Sequence, residues 1–299
     1  MRKFIGVDLG GTNVRVAVVN EEGEILEDVK SPSLSDQGPE VVLDNILKMI
    51  ETLEYKDNVL GVGVGIPGPV DTENGYVTLA TNIKDFAYFP VVKYLGDRLN
   101  LPVFMDNDAN VAGLAEAIVG AGKGEKIVYY VTHSTGIGGA LVVDGRIISG
   151  NFGYAGEIAN IIVDRNRPKV NHLNAGAVEN WAAGEAMVRQ ARELISEDID
   201  SAQEIFTLAQ ENHPVATEII ETMITDFALM LSTIAHVVEP HVFVIGGGVS
   251  KSANLYLNKV IEQYNTMVHP GMRNTKFELA KLDEPGVIGA AMLCYGIKE

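Results

Sequence analysis

The chain has 299 residues, of which 46% are hydrophobic and 21% charged, so we expect a packed core and enough length for two domains. Acidic residues outnumber basic ones by 40 to 23, and the formal charge of −17 disfavours nucleic acid or an anionic membrane as the main partner. The one cysteine, Cys294, excludes an internal disulfide and a cage of several thiolates. We find no signal peptide and expect no membrane span, so the sequence favours a soluble cytoplasmic protein.

The predicted elements form two α/β units that follow one another along the chain. In the first unit, strands are predicted at 3–9, 14–19, 24–30, 59–66 and 101–105, and helices at 39–54, 90–99 and 109–119. In the second, strands are predicted at 127–131, 140–143, 146–148 and 241–245, and helices at 176–195, 201–211, 214–238 and 287–297. Each unit opens with a strand, a glycine-rich turn and a second strand, and the junction is predicted near 110–125.

Three glycine turns stand next to predicted strands. They read D-L-G-G-T-N (8–13), H-S-T-G-I-G-G (133–139) and G-G-G-V-S (246–250). Glycine lets the backbone approach a ligand closely, and free N–H groups at such turns suit phosphate. A single Gly-Gly pair is more often an ordinary tight turn. Three such turns in one chain instead predict a nucleotide site, in which the first two turns bind a phosphate chain and the third contacts an adenosine.

Polar residues end the strand at 101–105, where the chain reads F-M-D-N-D-A-N (104–110). One interpretation is a helix cap, because Asp and Asn accept hydrogen bonds from the first N–H groups of a helix. The other is catalysis, because a carboxylate held at a strand end can act as a general base. One residue can cap while its neighbour catalyses.

Taken together, these stretches resemble the actin-like, or sugar kinase/Hsp70, ATPase superfamily, and within it the ROK family of repressors and sugar kinases. Further matching stretches are G-I-P-G-P-V-D (65–71), N-D-A-N (107–110), T-G-I-G-G (135–139), A-G-E-I (155–158), Glu179 and I-G-G-G-V (245–249). The resemblance implies an α/β fold of two actin-like ATPase (ribonuclease H-like) domains with a central cleft. We expect residues 1–115 to form the first domain, with the C-terminal helix at about 286–299 packing back on it. Residues 116–285 would form the larger second domain.

The resemblance also implies ATP-dependent phosphorylation of a sugar hydroxyl, with Mg²⁺ bound through ATP. Asp108 would be the general base, and Asp8 the residue that holds the metal or its water. Sugar-binding roles carry over to Gly65, Gly68, Asn82, Asn107, Asp108, Glu157, Asn160 and Glu179. Nucleotide-binding roles carry over to Asp8, Gly10, Gly11, Thr12, Asn13, Thr135, Gly136, Gly138, Gly246, Gly247 and Gly248.

The sequence departs from the resemblance at a zinc motif that many family members carry. Asn160, Val170, His172 and Ala177 occupy the four ligand positions, so we predict no structural zinc and expect packing to hold the loop at 164–175. Because the missing histidine also contacts sugar in those relatives, the substrate stays open. Glucose is the first choice, and N-acetylmannosamine, fructose, mannose and a glucoside are alternatives.

A different class of function is a sugar-sensing regulator without catalysis. Regulators of this family carry a DNA-binding helix-turn-helix before the first glycine turn, which here begins at residue 8, and the acidic charge disfavours DNA. The family resemblance further implies a homodimer.

Overall fold

The computed structural model describes residues 1–80 and 83–297. Contacts within the chain divide it into two compact units. The first comprises Met1–Tyr130, Ala140–Gly156 and Ala280–Glu299, and the second comprises Val131–Gly139 and Glu157–Leu279.

The first sheet is mixed and has the strand order β3-β2-β1-β4-β7. Its strands are β1 (Lys3–Leu9), β2 (Asn13–Asn20), β3 (Ile25–Pro32), β4 (Val62–Ile66) and β7 (Val103–Asn107), and a separate hairpin is made by β5 (Val70–Asp71) and β6 (Tyr76–Val77). Strands β1, β2 and β3 form an antiparallel meander, whereas β4 runs parallel to both β1 and β7. Parallel pairing brings the carboxyl ends of β1, β4 and β7 to one edge of the sheet, where ligands commonly bind in α/β folds.

The second sheet has the order β10-β9-β8-β11-β12. Its strands are β8 (Ile127–His133), β9 (Ile137–Val143), β10 (Arg146–Ile147), β11 (Val242–Gly246) and β12 (Lys276–Leu279). Every residue of β11 is buried, as the apolar run V-F-V-I predicts for a central strand.

The helices of the first unit are α1 (Pro39–Thr52), α2 (Val91–Leu99), α3 (Asp108–Ile118) and α9 (Pro285–Met292). The helices of the second unit are α4 (Glu179–Ala182), α5 (Gly184–Leu194), α6 (Ala202–Gln210), α7 (Pro214–Val238) and α8 (Ala253–Met267). Helix α9 packs closely on strand β4 because Gly63 has no side chain. A Cβ at Gly63 would lie 1.8 Å from the carbonyl oxygen of Ala290. The C-terminal helix thereby covers the first sheet.

The main core of the first unit lies between its sheet and helices α1 and α2. Alternate residues of β1 and β2, such as Val7 and Val16, meet Leu43 and Ile46 of α1 and Leu95 of α2. Apolar residues at i, i+3 and i+4 of α1 predict this buried face, so the sequence pattern and the packing agree.

Two predicted features differ from the structure. The helix predicted over 176–195 is divided into α4 and α5, because Ala183 adopts an extended conformation. The N–H group of Gly184 then donates to the carbonyl of Ser134 at 2.8 Å, a contact that starts the second helix at the glycine turn. The hairpin β5–β6 and strand β12 were not predicted, since their strands have only two to four residues.

The compact units also differ from the predicted domains at 1–115 and 116–285. Residues 116–130 and 140–156 share the first unit with helix α3, and a Cβ at Gly113 of that helix would lie 2.6 Å from Ala140. Contacts of α3 therefore draw these later residues into the first unit. The division into actin-like domains at 1–115 and 116–285 stays a prediction.

Helix α7 has the length and apolar composition of a membrane-spanning helix, contrary to the expectation that no segment does. Its most apolar stretch is 67% buried inside the protein, and α7 packs against α4, α5, α6 and α8. We therefore interpret α7 as a core helix of the second unit.

Candidate active site

Strand register aligns two predicted site positions, Asp8 and Gly65, with Asp106 in the first unit. Asp8 pairs with Gly65 across β1 and β4, and Gly65 pairs with Asp106 across β4 and β7. Asn107 and Asp108 follow directly, so the glycine turn after β1 and the polar cluster after β7 lie at the same edge of the sheet.

Asn107, and not Asp108, caps helix α3. Its side-chain oxygen accepts hydrogen bonds from the N–H groups of Ala109 at 2.9 Å and Asn110 at 3.4 Å. Its amide nitrogen donates to the carbonyl oxygen of Gly68 at 3.1 Å. Because Asn107 supplies the cap, the carboxylate of Asp108 is left for another role, which answers the question raised by the sequence.

Asp108 is the first residue of α3 and is exposed, and its Oδ1 atom accepts the N–H of Ala109 at 2.8 Å. Desolvation by the surrounding protein atoms nevertheless raises the pKa of this carboxyl group. The Asp108 carboxylate is therefore reachable from solvent, and its charge is only partly solvated.

Asp106 is buried and fastens the polar cluster from behind. Its Oδ1 atom accepts the N–H of Asn107 and the side-chain amide of Asn110, both at 2.7 Å. Its Oδ2 atom accepts the hydroxyl of Ser149 at 3.1 Å. Burial raises the pKa of Asp106, whereas the three hydrogen bonds favour its ionised form. These contacts fit a structural role for Asp106.

Asp8, at the start of the first glycine turn, has a half-buried carboxylate. Burial and the nearby charges of Asp108 and Glu284 raise its pKa to about 6, and Arg15 opposes this shift. Arg15 itself is paired with Asp28 at 2.8 Å and with Glu284. The neighbouring carboxylates of Asp8 and Asp108 repel each other, and their oxygen atoms are the ligands that a divalent cation such as Mg²⁺ prefers.

The first glycine turn is braced by two serines that sequence reasoning missed. The hydroxyl groups of Ser33 and Ser35 both donate to the carbonyl oxygen of Gly11, and Gly10 N–H donates to the carbonyl of Asn13 at 2.9 Å. The side chains of Thr12 and Asn13 are exposed, so they are accessible to a ligand. The run S-P-S-L-S (31–35), which begins at the end of strand β3, was the available signal.

The predicted sugar-wall glycines have different surroundings. Gly65 is buried, and a Cβ there would lie 2.7 Å from Val111, so this glycine admits helix α3 to the sheet. Gly68 is half-buried with φ of +100°, a conformation that favours glycine, and its carbonyl accepts the Asn107 amide. Asn82 lies outside the described residues.

The second and third glycine turns contact each other within the second unit. A Cβ at Gly247, which has φ of +90°, would lie 2.5 Å from the carbonyl oxygen of His133. Gly248 is exposed and Gly246 is buried, so the third turn opens progressively towards solvent. Thr135 of the second turn is exposed, and Gly136 and Gly138 are half-buried.

His133 is fully buried next to the second and third glycine turns and is fixed by two hydrogen bonds. Its Nε2 atom lies 2.8 Å from the carbonyl oxygen of Ala182 and therefore donates, which leaves Nδ1 to accept from the hydroxyl of Tyr256 at 3.1 Å. Burial lowers the pKa of His133 to about 4, so the ring is neutral at physiological pH.

A cavity of about 430 Å³ in the second unit joins the two turns. Ser134, Thr135 and Gly248 line it, together with Gly184 and Gln203. The hydroxyl of buried Ser252 donates to Gln203 Oε1 at 2.6 Å, which fixes the amide at the wall. A cavity of this size, apolar with a few polar groups, suits a purine nucleoside.

Glu179 lies against the second glycine turn. Its Oε2 atom accepts the N–H of Ile137 at 2.9 Å, and a Cβ at Gly136 would lie 2.7 Å from the same atom. Sequence reasoning predicted sugar binding for Glu179 and did not anticipate this backbone contact.

Glu157 and Asn160 are exposed at the ends of a short 3₁₀ turn. The segment after them is tied to the one before Glu179, since Val178 N–H donates to the carbonyl of Ile161 at 2.8 Å. The side-chain oxygen of Asn160 accepts the N–H of Asn174 at 2.7 Å, which leaves its amide group as the donor for a ligand. All three predicted sugar residues of the second unit thus lie on neighbouring segments.

An ion pair holds the loop at 164–175, where packing alone was expected. The guanidinium group of Arg167 pairs with buried Asp226 and with Asp164, and it lies 4.9 Å from the centre of the Trp181 ring. Over residues 1–80 and 83–297, no group of three or more His, Cys, Asp and Glu side chains is arranged to hold a metal.

Comparison with known proteins decides the family. The ROK family model matches residues 4–296. The chain belongs to the ROK family. A glucokinase of Thermotoga maritima is 31% identical over 97% of this chain and 96% of its own length.

Two solved structures share the fold of this ROK protein. A ROK hexokinase from Thermus thermophilus has a TM-score of 0.87 and 32% identity over 97% of both chains. A ROK glucokinase from Streptomyces griseus, in complex with glucose and AMPPNP, has a TM-score of 0.78 and 29% identity over 97% of this chain and 98% of that one. The predicted family and the α/β fold of actin-like ATPase-type domains are confirmed.

Proposed function

We propose that this protein is a kinase that transfers the terminal phosphoryl group of ATP to a hydroxyl group of a hexose, with glucose as the first substrate to test. The observation that carries the proposal is that two neighbouring residues at the start of α3 have different roles. Asn107 satisfies the helix end, so the accessible carboxylate of Asp108 can serve as a general base. The similarity to glucokinases over nearly the whole chain supports the same class of reaction.

In this mechanism Asp108 accepts the proton of the acceptor hydroxyl as the new P–O bond forms and the bond to the ADP oxygen breaks. Asn107 holds the sugar beside Asp108, and the Gly68 backbone forms the adjacent wall. Asp106 holds Asn107 and the first turn of α3 in position through the Asn107 N–H and the Asn110 amide. Positioning of this kind supplies much of the acceleration in phosphoryl transfer.

Phosphate and nucleotide binding are assigned to the glycine turns. Gly10, Gly11, Thr12 and Asn13 would bind phosphate in the first unit, and Thr135, Gly136 and Gly138 would bind phosphate in the second. The cavity beside Gly246, Gly247 and Gly248 would take the adenosine, as its size and lining support. Asp8 would hold Mg²⁺ or its water, and the ion would neutralise charge on the phosphates.

Sugar specificity is assigned to three polar residues of the second unit. Glu157, Asn160 and Glu179 would bind hydroxyl groups, and discrimination is steep where a wrong stereoisomer leaves such groups unpaired. N-acetylmannosamine, fructose, mannose and a glucoside are the alternative acceptors. We also propose a cytoplasmic location and a homodimer. Sedimentation of the purified protein would test the homodimer.

The experiment is ATP-dependent release of ADP measured against a panel of hexoses, amino sugars and glucosides. Turnover with one sugar, and identification of the phosphorylated hydroxyl by NMR, would support the kinase. Sugar binding without ADP release from any member of the panel would overturn it in favour of a sugar-sensing regulator.

A further inference from the structure

A second cavity, of about 510 Å³, lies in the first unit beside the proposed acceptor site. Its two walls are the β5–β6 hairpin and the loop at 149–154. They contact each other, since a Cβ at Gly153 would lie 2.2 Å from the carbonyl oxygen of Val70. The volume falls in the range of about 300–1,000 Å³ that small-molecule sites occupy. Gly65, Gly68, Asn107 and Asp108 are not among its lining residues, so it is distinct from the acceptor site.

The lining combines exposed aromatic rings with hydrogen-bonding groups. Phe152 is 75% exposed and Tyr154 is 50% exposed. Two large aromatic side chains exposed to water on one short loop often mark a binding site. Asp71, Glu73 and Asn151 supply carboxylate and amide groups around them. Rings that stack on C–H faces, together with acceptors for hydroxyl groups, match the two kinds of surface that a pyranose presents.

One of the polar groups is held rigidly. The carboxylate of Asp71 accepts the backbone N–H of Asn74 at 2.9 Å and its side-chain amide at 2.8 Å. These hydrogen bonds lower the pKa of Asp71, so the group is ionised at neutral pH. A fixed, charged acceptor suits recognition of a hydroxyl group.

Short chain segments connect this cavity to the acceptor residues. Ser149, in its wall, donates to Asp106, which in turn accepts the N–H of Asn107. Val70, in the other wall, is two residues after Gly68, whose carbonyl binds Asn107. Both walls of the second cavity are therefore joined to Asn107 by short links.

We propose that this second cavity binds a further sugar ring, so that the preferred acceptor is a glycoside or disaccharide and not a free hexose. The inference deepens the proposed kinase function and rests on it. The occupant is a pyranose, because the rings stand among carboxylates and hydroxyl groups in a concave site, whereas an interface with a second copy would favour a flatter apolar patch.

The test compares the hexose that the enzyme phosphorylates best with its phenyl glycoside and with disaccharides that contain it. We expect the wild-type KM to be lower for at least one two-ring substrate than for the hexose. Phe152→Ala and Tyr154→Ala should each raise that KM about fivefold or more and leave the KM of the hexose within about twofold. Tyr55→Ala is the matched control, because Tyr55 is 51% exposed and lies outside the cavity.

Three results would overturn the second site. The first is a wild-type KM for the two-ring substrates that is no lower than that for the hexose. The second is an equal rise in the KM of hexose and glycoside in the variants. The third is loss of an oligomer in sedimentation of the variants while both KM values stay constant. If no sugar is phosphorylated, the kinase proposal fails by itself. Calorimetric titration of the wild type and Phe152→Ala with glucose and with the disaccharides then tests the second site. Tighter binding of a disaccharide than of glucose in the wild type, lost in Phe152→Ala, supports the site. Equal affinity for disaccharides and glucose in the wild type rejects it.

Discussion

The glycine turn of the first unit lies beside repelling carboxylates, whereas the turn at 133–139 of the second unit is already satisfied by hydrogen bonds. Near the first turn, the charges of Asp108 and Glu284 help to raise the pKa of Asp8 to about 6. At the second turn, Glu179 accepts the Ile137 N–H and neutral His133 is fixed on both sides. The difference indicates that the first turn stores unfavourable charge which a cationic ligand can relieve, while the second is organised in advance.

The largest expected effect comes from removing the proposed base. Asp108→Asn should lower kcat by about 10²- to 10⁴-fold, because the acceptor hydroxyl loses its proton acceptor, while the sugar Kd changes only severalfold. Steady-state kinetics and sugar titration measure the two quantities. Asp57→Asn, an exposed carboxylate far along the chain from α3, is the control. A kcat within about threefold of the wild type would reject the assignment of Asp108.

The next effect is a gain in stability at the first turn. Because the pKa of Asp8 in the folded protein, about 6, exceeds its ordinary value of 3.8, ionised Asp8 destabilises the fold. Wild-type stability should therefore fall as pH rises from about 4 through about 6. Asp8→Asn removes that loss and should raise the free energy of unfolding at pH 8 by on the order of 2 kcal/mol, although activity falls.

Urea unfolding of the ligand-free protein at pH 5 and pH 8 tests this prediction for Asp8. The advantage of Asp8→Asn should shrink at the lower pH, and Mg²⁺ with ATP should stabilise the wild type more than the variant. An advantage that is the same at both pH values would show that charge is not the cause.

A smaller effect is expected at the second turn. Glu179→Ala leaves the N–H of Ile137 without this acceptor and should lower the free energy of unfolding by about 1–2 kcal/mol. Glu179→Gln keeps an acceptor oxygen and should lose less than half of that. Thermal or urea unfolding of both variants measures the difference, and equal losses would mean that the hydrogen bond does not hold the turn.

The smallest effect concerns the brace of the first turn. Ser33→Ala should cost about 0.5–1 kcal/mol, because the Gly11 carbonyl keeps the hydroxyl of Ser35 as a donor. Replacing both serines should cost more than the sum of the two single changes, since only then is the carbonyl left without either hydroxyl. Additive losses in urea unfolding would contradict the shared brace.

The amino-acid sequence by itself determined the order of the elements and the types of residue at the site. Helix α7 begins and ends where its proline and apolar period predict, and the strand–turn–strand openings follow from local glycine and β-branched patterns. The acid after β7 was also visible, because a run of polar residues that ends an apolar strand is a local signal.

Only the tertiary structure decided which of these residues meet. Parallel pairing aligned Asp8, Gly65 and Asp106, and long-range contacts joined Glu179 to Ile137 and Glu284 to Arg15. No periodicity within a short window encodes such contacts, because their partners lie tens to hundreds of residues apart. The shifted pKa of Asp8 has the same origin, since it depends on burial and on the charges of Asp108 and Glu284, which are distant in the chain.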